Sequence, residues 1–386
     1  MKKSLVALAA LAATSAFAQS SVTLSGNLDF AAANITGSQT IAKGTTVSTG
    51  AGTSSTSVIA LTAVEKTKDF TITVRYGLDP RSLSNDGMAV TNNTAQSGSA
   101  TTNALANTAT GLNRDELFVG ISGGFGNLRL GSPNSIGLNS FQVASPLGTG
   151  VGSGYTGGGQ ASTMTGSWSN IRYSRSVRYD SPSFNGFTAS VLYAPGNDQA
   201  AVAASSGTAG TTGGNAALVV PNARAATEFG LRYAAGPLTV SFANVSTAAQ
   251  TNPGGWYAAG ASVAGAAKTS VNMLNASFAM GATTLYAGWN KGDNLTAGAT
   301  TTPTKGYRLA AKHTMGAIDL AASYTQQTSG ATNIDASVTG LRADYNLSKT
   351  AAAYIGYENW DTGTAYANTA TSGVRKITSV GLRKSF

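Results

Sequence analysis

The 386-residue chain contains no cysteine. That absence removes disulfide frameworks and thiolate metal sites together, so a chain of this length must find its size in secondary structure. Histidine occurs once, at His313. A Ser-His hydrolase would have that single base and no nucleophile-elbow sequence beside it, so no catalytic residue is expected. A metal centre would lack its imidazole and thiolate cluster, and the scattered acids offer at most a weak surface calcium site; no metal and no cofactor are expected. The glycine runs "GVGSGYTGGG" at 150–159 and "SGGFG" at 122–126 are not followed by the Lys-Ser/Thr that a phosphate loop requires. Charge is also scarce, at 11% of residues. Lysine and arginine outnumber aspartate and glutamate 25 to 16, but they are spread singly, without a basic block or a reading module, so no nucleic-acid partner is expected. Beyond the first eighteen residues there is no apolar run of the length a bilayer-spanning helix needs.

What is present begins with an export leader. Met1-Lys2-Lys3 is a basic start, Leu5 to Ala13 a short apolar run, and Ala16-Phe17-Ala18 a small-residue cleavage motif. The expected signal peptide is residues 1–18, leaving a single domain over 19–386. Loss of Lys2 and Lys3 lowers the formal charge from +9 to +7, which is still basic.

The strongest signal in the remainder is a period of two. In "FTITVRYGLD", residues 70–79, Phe70, Ile72, Val74, Tyr76 and Leu78 share one face of an extended strand, and Thr71, Thr73, Arg75, Gly77 and Asp79 share the other. The alternation recurs in "SVRYDS" at 176–181, "EFGLRYAA" at 228–235, "YRLAAKHT" at 307–314 and "LRADYNL" at 341–347. It recurs again in "TSVGLRKSF" at 378–386, where Val380, Leu382 and Phe386 oppose Ser379, Gly381, Arg383 and Ser385.

Connections alternate as well. Short links fall near 66–69, 122–126, 181–186, 235–237, 280–282, 315–317 and 348–350. Long Ser/Thr/Gly/Ala/Asn-rich stretches lie between them, near 34–55, 80–110, 133–170, 194–225, 245–269, 290–305, 325–335 and 361–373. This is an upright meander with tight turns at one end and large loops at the other, and it counts to about sixteen strands, an even number. A soluble sandwich would carry many charges on its outer face; here the polar face is Thr, Ser, Asn and Gly punctuated by arginine. Tyrosines near the ends of the oily face suit an aromatic girdle. Hydrocarbon cannot satisfy backbone amides, so such a sheet must close on itself. The expected seam joins "VTLSGNLDF" at 22–30 to the closing strand, with Phe386 at the bilayer interface.

Five stretches in this order carry a family resemblance: "SSVTLSGNLD" at 20–29, "LFVGISGGFGNLRLG" at 117–131, "SVRYDSPSFNGFTASVLYA" at 176–194, "LSKTAAAYIGY" at 347–357 and "TSVGLRKSF". The sequence resembles the trimeric general porins of Gram-negative outer membranes, in their neisserial and β-proteobacterial branch. The resemblance implies an all-β, 16-stranded antiparallel transmembrane β-barrel whose third long loop folds into the lumen. It also implies a homotrimer in outer-membrane lipid, passing small hydrophilic solutes and anions. The third long loop is then 133–170, and it departs from the family in carrying no acidic residue, so half of the usual transverse field is missing. Ser132 stands where relatives often have another basic residue.

Strand parity supplies candidates for the pore lining. Arg75, Arg114 and Arg129 point inward from adjacent strands and are the expected constriction residues. Arg178, Arg232, Arg308, Lys312 and Arg342 extend the positive lumen, with Asp29, Glu116, Asp180 and Asp344 placed to cancel part of it. A tunnel lined by fixed positive charge between low-dielectric walls concentrates anions, so an anion-preferring diffusion channel is expected. The bland reading of each arginine is pairing with a neighbouring acid, as Arg178 with Asp180. His313 shares parity with Tyr307 and Leu309 and is expected to face lipid or a trimer interface. The alternative function is an adhesin or receptor barrel, whose loops should carry aromatic or charged patches; these loops are Ser, Thr, Gly and Ala. A sugar-selective pore would need an aromatic ladder, and the tryptophans at 168, 256, 289 and 360 read as lying in or beside loops.

Overall fold

A computed structural model describes residues 19–38, 44–48, 53–55, 57–78, 115–153, 171–173, 175–196, 225–248, 268–295, 301–329, 334–361 and 373–386. The expected leader and Arg114 lie outside the described residues, as does most of the sequence assigned to long loops. The strands are β1 (Gln19–Gly37), β2 (Gly44–Ser48), β3 (Val58–Lys66), β4 (Phe70–Leu78), β5 (Leu117–Gly123), β6 (Gly126–Ser132), β7 (Ser176–Asp180), β8 (Phe187–Ala194) and β9 (Ala226–Ala235). They continue as β10 (Leu238–Thr247), β11 (Thr269–Met280), β12 (Thr283–Leu295), β13 (Thr301–Met315), β14 (Ile318–Ser329), β15 (Ile334–Ser348), β16 (Ala351–Asp361) and β17 (Val374–Ser385). One helix, α1 (Ile136–Val143), follows β6.

All pairings are antiparallel, and the sheet closes between β1 and β17, from Asn27↔Ser385 to Gly37↔Arg375. The last ladder rung is reciprocal: Gly26 donates its amide to the Phe386 carbonyl at 2.9 Å, and Phe386 donates to the Gly26 carbonyl at 3.0 Å. The Phe386 ring lies over Gly26 where a Cβ would sit, so that position accepts only glycine without a shift of the aromatic. Seventeen strand segments occupy sixteen barrel positions, because β2 and β3 share one edge of β1, pairing with residues 31–35 and 19–27 respectively.

The faces divide as alternation requires. Val74, Tyr179, Leu231, Leu309, Leu341, Ile355, Val380 and Leu382 are exposed, while Arg178, Glu228, Arg308, Arg342, Asp344 and Ser379 on the opposite face are buried. A water-soluble sheet would bury the first set; a barrel turned toward lipid exposes it. The seven short links fall between paired strands. Gly236, Gly281 and Gly316 adopt left-handed φ of 53–59°, the conformation that closes a two-residue hairpin with the right twist.

Strand also lies where polar composition predicts loop, and β14 and β15 pair out to Ser329↔Ile334 within the predicted 325–335. β2 sits inside 34–55, and β12 and β13 pair out to Leu295↔Thr301, leaving only 296–300 of the predicted 290–305 connection. Backbone ladder bonds are indifferent to side-chain polarity, and threonine and asparagine fill a strand that has passed beyond the apolar band. Trp289 is mid-strand on the exposed face of β12, and Trp360 is buried beside Ala336 and Val338 near the end of β16; neither belongs to a ladder along the interior.

Ile355 lies in the middle of β16 and is 54% exposed. Ile355→Arg is expected to lower folding stability by about 2–4 kcal/mol in urea titrations of barrels in lipid vesicles, whereas Ile355→Leu should leave it nearly unchanged. A comparable loss from the leucine variant would show that this position packs against protein and not lipid.

Candidate functional site in the barrel

The residues that follow β6 do not continue outward. Ser135 caps α1, its hydroxyl accepting from the Leu138 amide at 3.0 Å. Glu228, fully buried on the inner face of β9, accepts from the Ile136 and Gly137 amides at 2.5 and 3.0 Å. A carboxylate placed at a helix N-terminus satisfies two orphan donors and complements the helix dipole. Tyr173 is buried beside this carboxylate, and desolvation together with the Glu228 charge holds its phenol well above the ordinary value, so it remains protonated.

From there the segment runs along the inner wall. Asn275 of β11 donates to the Ser140 hydroxyl at 2.9 Å, and the Arg308 guanidinium of β13 stacks on Phe141 at 4.1 Å. Arg308 also donates to the Ser153 carbonyl at 2.8 Å, Ser323 of β14 donates to the Gly152 carbonyl, and Glu358 of β16 accepts from the Gly152 amide at 2.7 Å. The Gly152 backbone lies where a Cβ on Gly340 would sit, so Gly340 has no room for a side chain. Residues 135–153 are thus bonded to the inner face from β9 round to β16.

Across from this lining, on β4, β6 and β7 and the segments that lead into β5 and β7, four arginines and three carboxylates alternate. Arg172 pairs with Asp115 at 2.7 Å and Arg75 with the same carboxylate at 2.8 Å. Arg75 lies 3.5 Å from Glu116, Arg129 pairs with Glu116 at 3.9 Å and with Asp180, and Arg178 pairs with Asp180 at 2.9 Å. Arg178 also donates to the Asn134 carbonyl at 2.6 Å and to the Asn139 side chain, and Glu116 accepts from the Asn134 amide at 2.8 Å. The row therefore carries a formal surplus of one positive charge and clamps the base of the inner segment.

Parity placed Arg75, Arg114 and Arg129 on one wall; Arg75 and Arg129 belong to this row, Arg114 lies outside the described residues, and Arg178, predicted only as a further lumen charge, belongs to the row as well. Arg308 and Arg342 are inward but covered, at 5% and 8% exposure. Arg342 pairs with Asp344 at 3.1 Å and donates to the Ser54 carbonyl at 3.0 Å. Lys312 pairs with Asp319 at 3.1 Å close to the tight-turn end of β13, and Arg232 is exposed near the same rim. His313 is exposed on the outer face, in contact with the Thr283 hydroxyl at 2.8 Å. Sequence reasoning did not single out Asp115, Arg172, Glu228 or Glu358. Asp115 and Arg172 lie outside the strands, where alternation says nothing, and the two glutamates were legible only as inward acids with no partner to name.

A family model described as Gram-negative porin matches residues 4–365. The chain belongs to the Gram-negative porin family. That membership places it in the outer membrane of a Gram-negative bacterium. Over 92 residues, 24% of its length, the porin is 39% identical to the major outer membrane protein P.IB of Neisseria gonorrhoeae. A 103-residue match to P.IB of Neisseria lactamica is also 39% identical; these matches span about a quarter of each relative, 25% and 28%. Among solved structures, the porin superposes on the anion-selective porin from Comamonas acidovorans with a TM-score of 0.67 at 20% identity, covering 95% of this chain and 100% of that one. OmpT of Vibrio cholerae in its trimer form gives 0.62 at 13% identity, over 95% and 99%. At those identities the structural likeness speaks for the barrel fold.

Glu228→Ala removes the acceptor for two buried amides. Hydrogen exchange of Ile136 and Gly137 should then accelerate about tenfold or more, corresponding to about 1.4 kcal/mol of lost local stability. Unchanged protection would mean that packing of α1, and not the carboxylate, holds the segment.

Proposed function

We propose that the protein is a homotrimeric outer-membrane channel for passive diffusion of small hydrophilic solutes and ions, with a preference for anions and no catalytic role. The observation that carries this reading is the alternating row of Arg172, Asp115, Arg75, Glu116, Arg129, Asp180 and Arg178, facing an inner segment that contains no charged residue between 133 and 153. The opening lies between the two, and the constriction is formed by Arg75 and Arg129; Arg114, the third candidate from the sequence, lies outside the described residues.

The sign of selectivity follows from bookkeeping of charge within a Debye length, about 8–10 Å at physiological salt. Carboxylates on the same wall cancel most of the arginine charge, so the preference is for anions but moderate in strength. Arg308 and Arg342 contribute little to it, because each is spent on a carbonyl of a folded-in segment. The single histidine lies on the outer face and takes no part in the row. The trimer is supported by family membership and by the broad exposed apolar wall, and the leader at 1–18 by its basic, apolar and small-residue succession.

Single-channel recording in a salt gradient tests the reading. The wild-type protein should show large open steps with a reversal potential on the anion side; absence of conductance would favour an adhesin, and block by sugars a substrate-selective pore. Each charge acts on an ion roughly 8 Å away with about 0.5 kcal/mol in water and about 0.2 kcal/mol after screening over one Debye length; anion and cation respond with opposite sign, so neutralising it changes the permeability ratio about twofold. Arg75→Gln with Arg129→Gln should therefore reduce the anion-to-cation ratio about fourfold, and Asp115→Asn should raise it about twofold. An unmoved reversal potential in both variants would remove this row from the constriction.

A further inference from the structure

The interruption of the second barrel strand leads to a further element of the pore. On the β3 edge of β1, ladder pairing stops at Asn27↔Val58 and resumes at Ala31↔Ser48. The chain leaves the wall between Ser48 and Val58. The gap it leaves is sealed by a side chain: the Asp29 amide donates to the Ser57 hydroxyl at 2.9 Å, and that hydroxyl donates to the Asp29 carbonyl at 3.2 Å. A frayed strand end would not be closed in this way.

The detour is then fastened on the inside. Asp29, with no exposed surface, accepts from the Ser54 hydroxyl at 2.7 Å and from the Ser55 amide and hydroxyl at 2.8 and 3.0 Å. Its second oxygen accepts from Tyr354 of β16 at 2.5 Å. The Ser54 carbonyl accepts from Arg342 of β15, and the Thr53 carbonyl accepts from the Val151 amide at 2.8 Å. That last bond joins the detour to the segment that follows α1. Gly150 lies so close to the Ser54 carbonyl that no Cβ fits, and Val151 occupies the space in front of Gly356. Two stretches far apart in sequence meet as one bar against β13 to β16 and β1.

Thr53 and Ser54 are buried by these contacts, whereas Ser55 remains partly exposed. Ser55 borders a polar cavity of about 200 Å³ together with Asn27, Asn346, Lys349, Arg383 and Ser385, on the tight-turn side of the barrel. A side chain so placed stands beside the water path and not behind the wall.

We propose that residues 53–55 are a second constriction element, joined to residues 150–153, that sets the size limit of the pore from the wall opposite the arginine row. The proposal rests on the channel reading above. It assigns Asp29 as a positioning residue that acts through the serines, and Ser55 as a specificity-determining residue in contact with passing solutes. It also accounts for the covering of Arg342: a buried cation here anchors the bar and adds little to the field in the opening.

The absence of cysteine makes a single-site probe unambiguous. Ser55→Cys, folded and reconstituted in a planar bilayer, should lose conductance in steps and gain anion preference when a cationic methanethiosulfonate is added, each compared with the same channel before the reagent. Asp29→Ala should conduct more than the wild type and admit larger polyethylene glycols, while keeping the heat-modifiable mobility of a folded barrel. A labelled Ser55→Cys channel with unchanged conductance, or a thiol in the conducting channel that the reagent cannot reach, overturns the proposal even if Asp29→Ala fails to fold. A wild-type protein that does not conduct overturns the channel reading, and the second constriction with it.

Discussion

Every other feature of this porin depends on how its backbone amides are satisfied. In hydrocarbon there is no water to accept a hydrogen bond, so a sheet with a free edge carries a row of costly unpaired donors. The reciprocal bonds between Gly26 and Phe386, and the eleven-rung ladder from Asn27 to Gly37 that continues them, remove the last such edge. Once the sheet is closed, alternation fixes the rest: one face must suit lipid and the other water, and each side chain is assigned by parity alone. Even the broken second strand obeys this rule, because the Ser57 hydroxyl completes the bonds that the departing backbone leaves open at Asp29.

The interior shows a second economy. A charged group facing water inside a barrel can act on solutes or hold structure, and most charges here do the latter. Glu228 and Glu358 bind amides of the inner segment, Asp29 binds the serines of the detour, and Arg308 and Arg342 bind carbonyls of the same two segments. Buried ions of this kind are expensive to strip of water, and they are tolerated because each meets several donors or acceptors in fixed geometry. The row from Arg172 to Arg178 keeps a formal surplus of one positive charge, and on the proposed reading that surplus acts on the opening.

The fold was legible in the sequence to an unusual degree, and the physical reason is the period of two. Phe70 to Leu78 has one possible arrangement in a half-wet sheet, and the hairpin glycines at 236, 281 and 316 mark where each ladder must turn. Polar composition misled where strands run past the apolar band, as at β2 and at the outer ends of β12 to β15. The candidate site was legible in part. Parity put Arg75 and Arg129 on one wall and turned Arg178 inward, but Asp115 and Arg172 lie in connections where no period exists.

The sequence by itself determined the barrel, its strand count, the seam and the sign of each face, because those follow from spacing and from the need to pair every amide in lipid. The tertiary structure alone decided which inward charges remain active. Arg75 and Arg308 have the same parity and the same chemistry. Only the folding-in of 135–153 leaves one in the row of ion pairs and covers the other beneath Phe141 and Ser153. Contacts between segments a hundred or more residues apart carry no periodic trace, so they had to be seen in three dimensions.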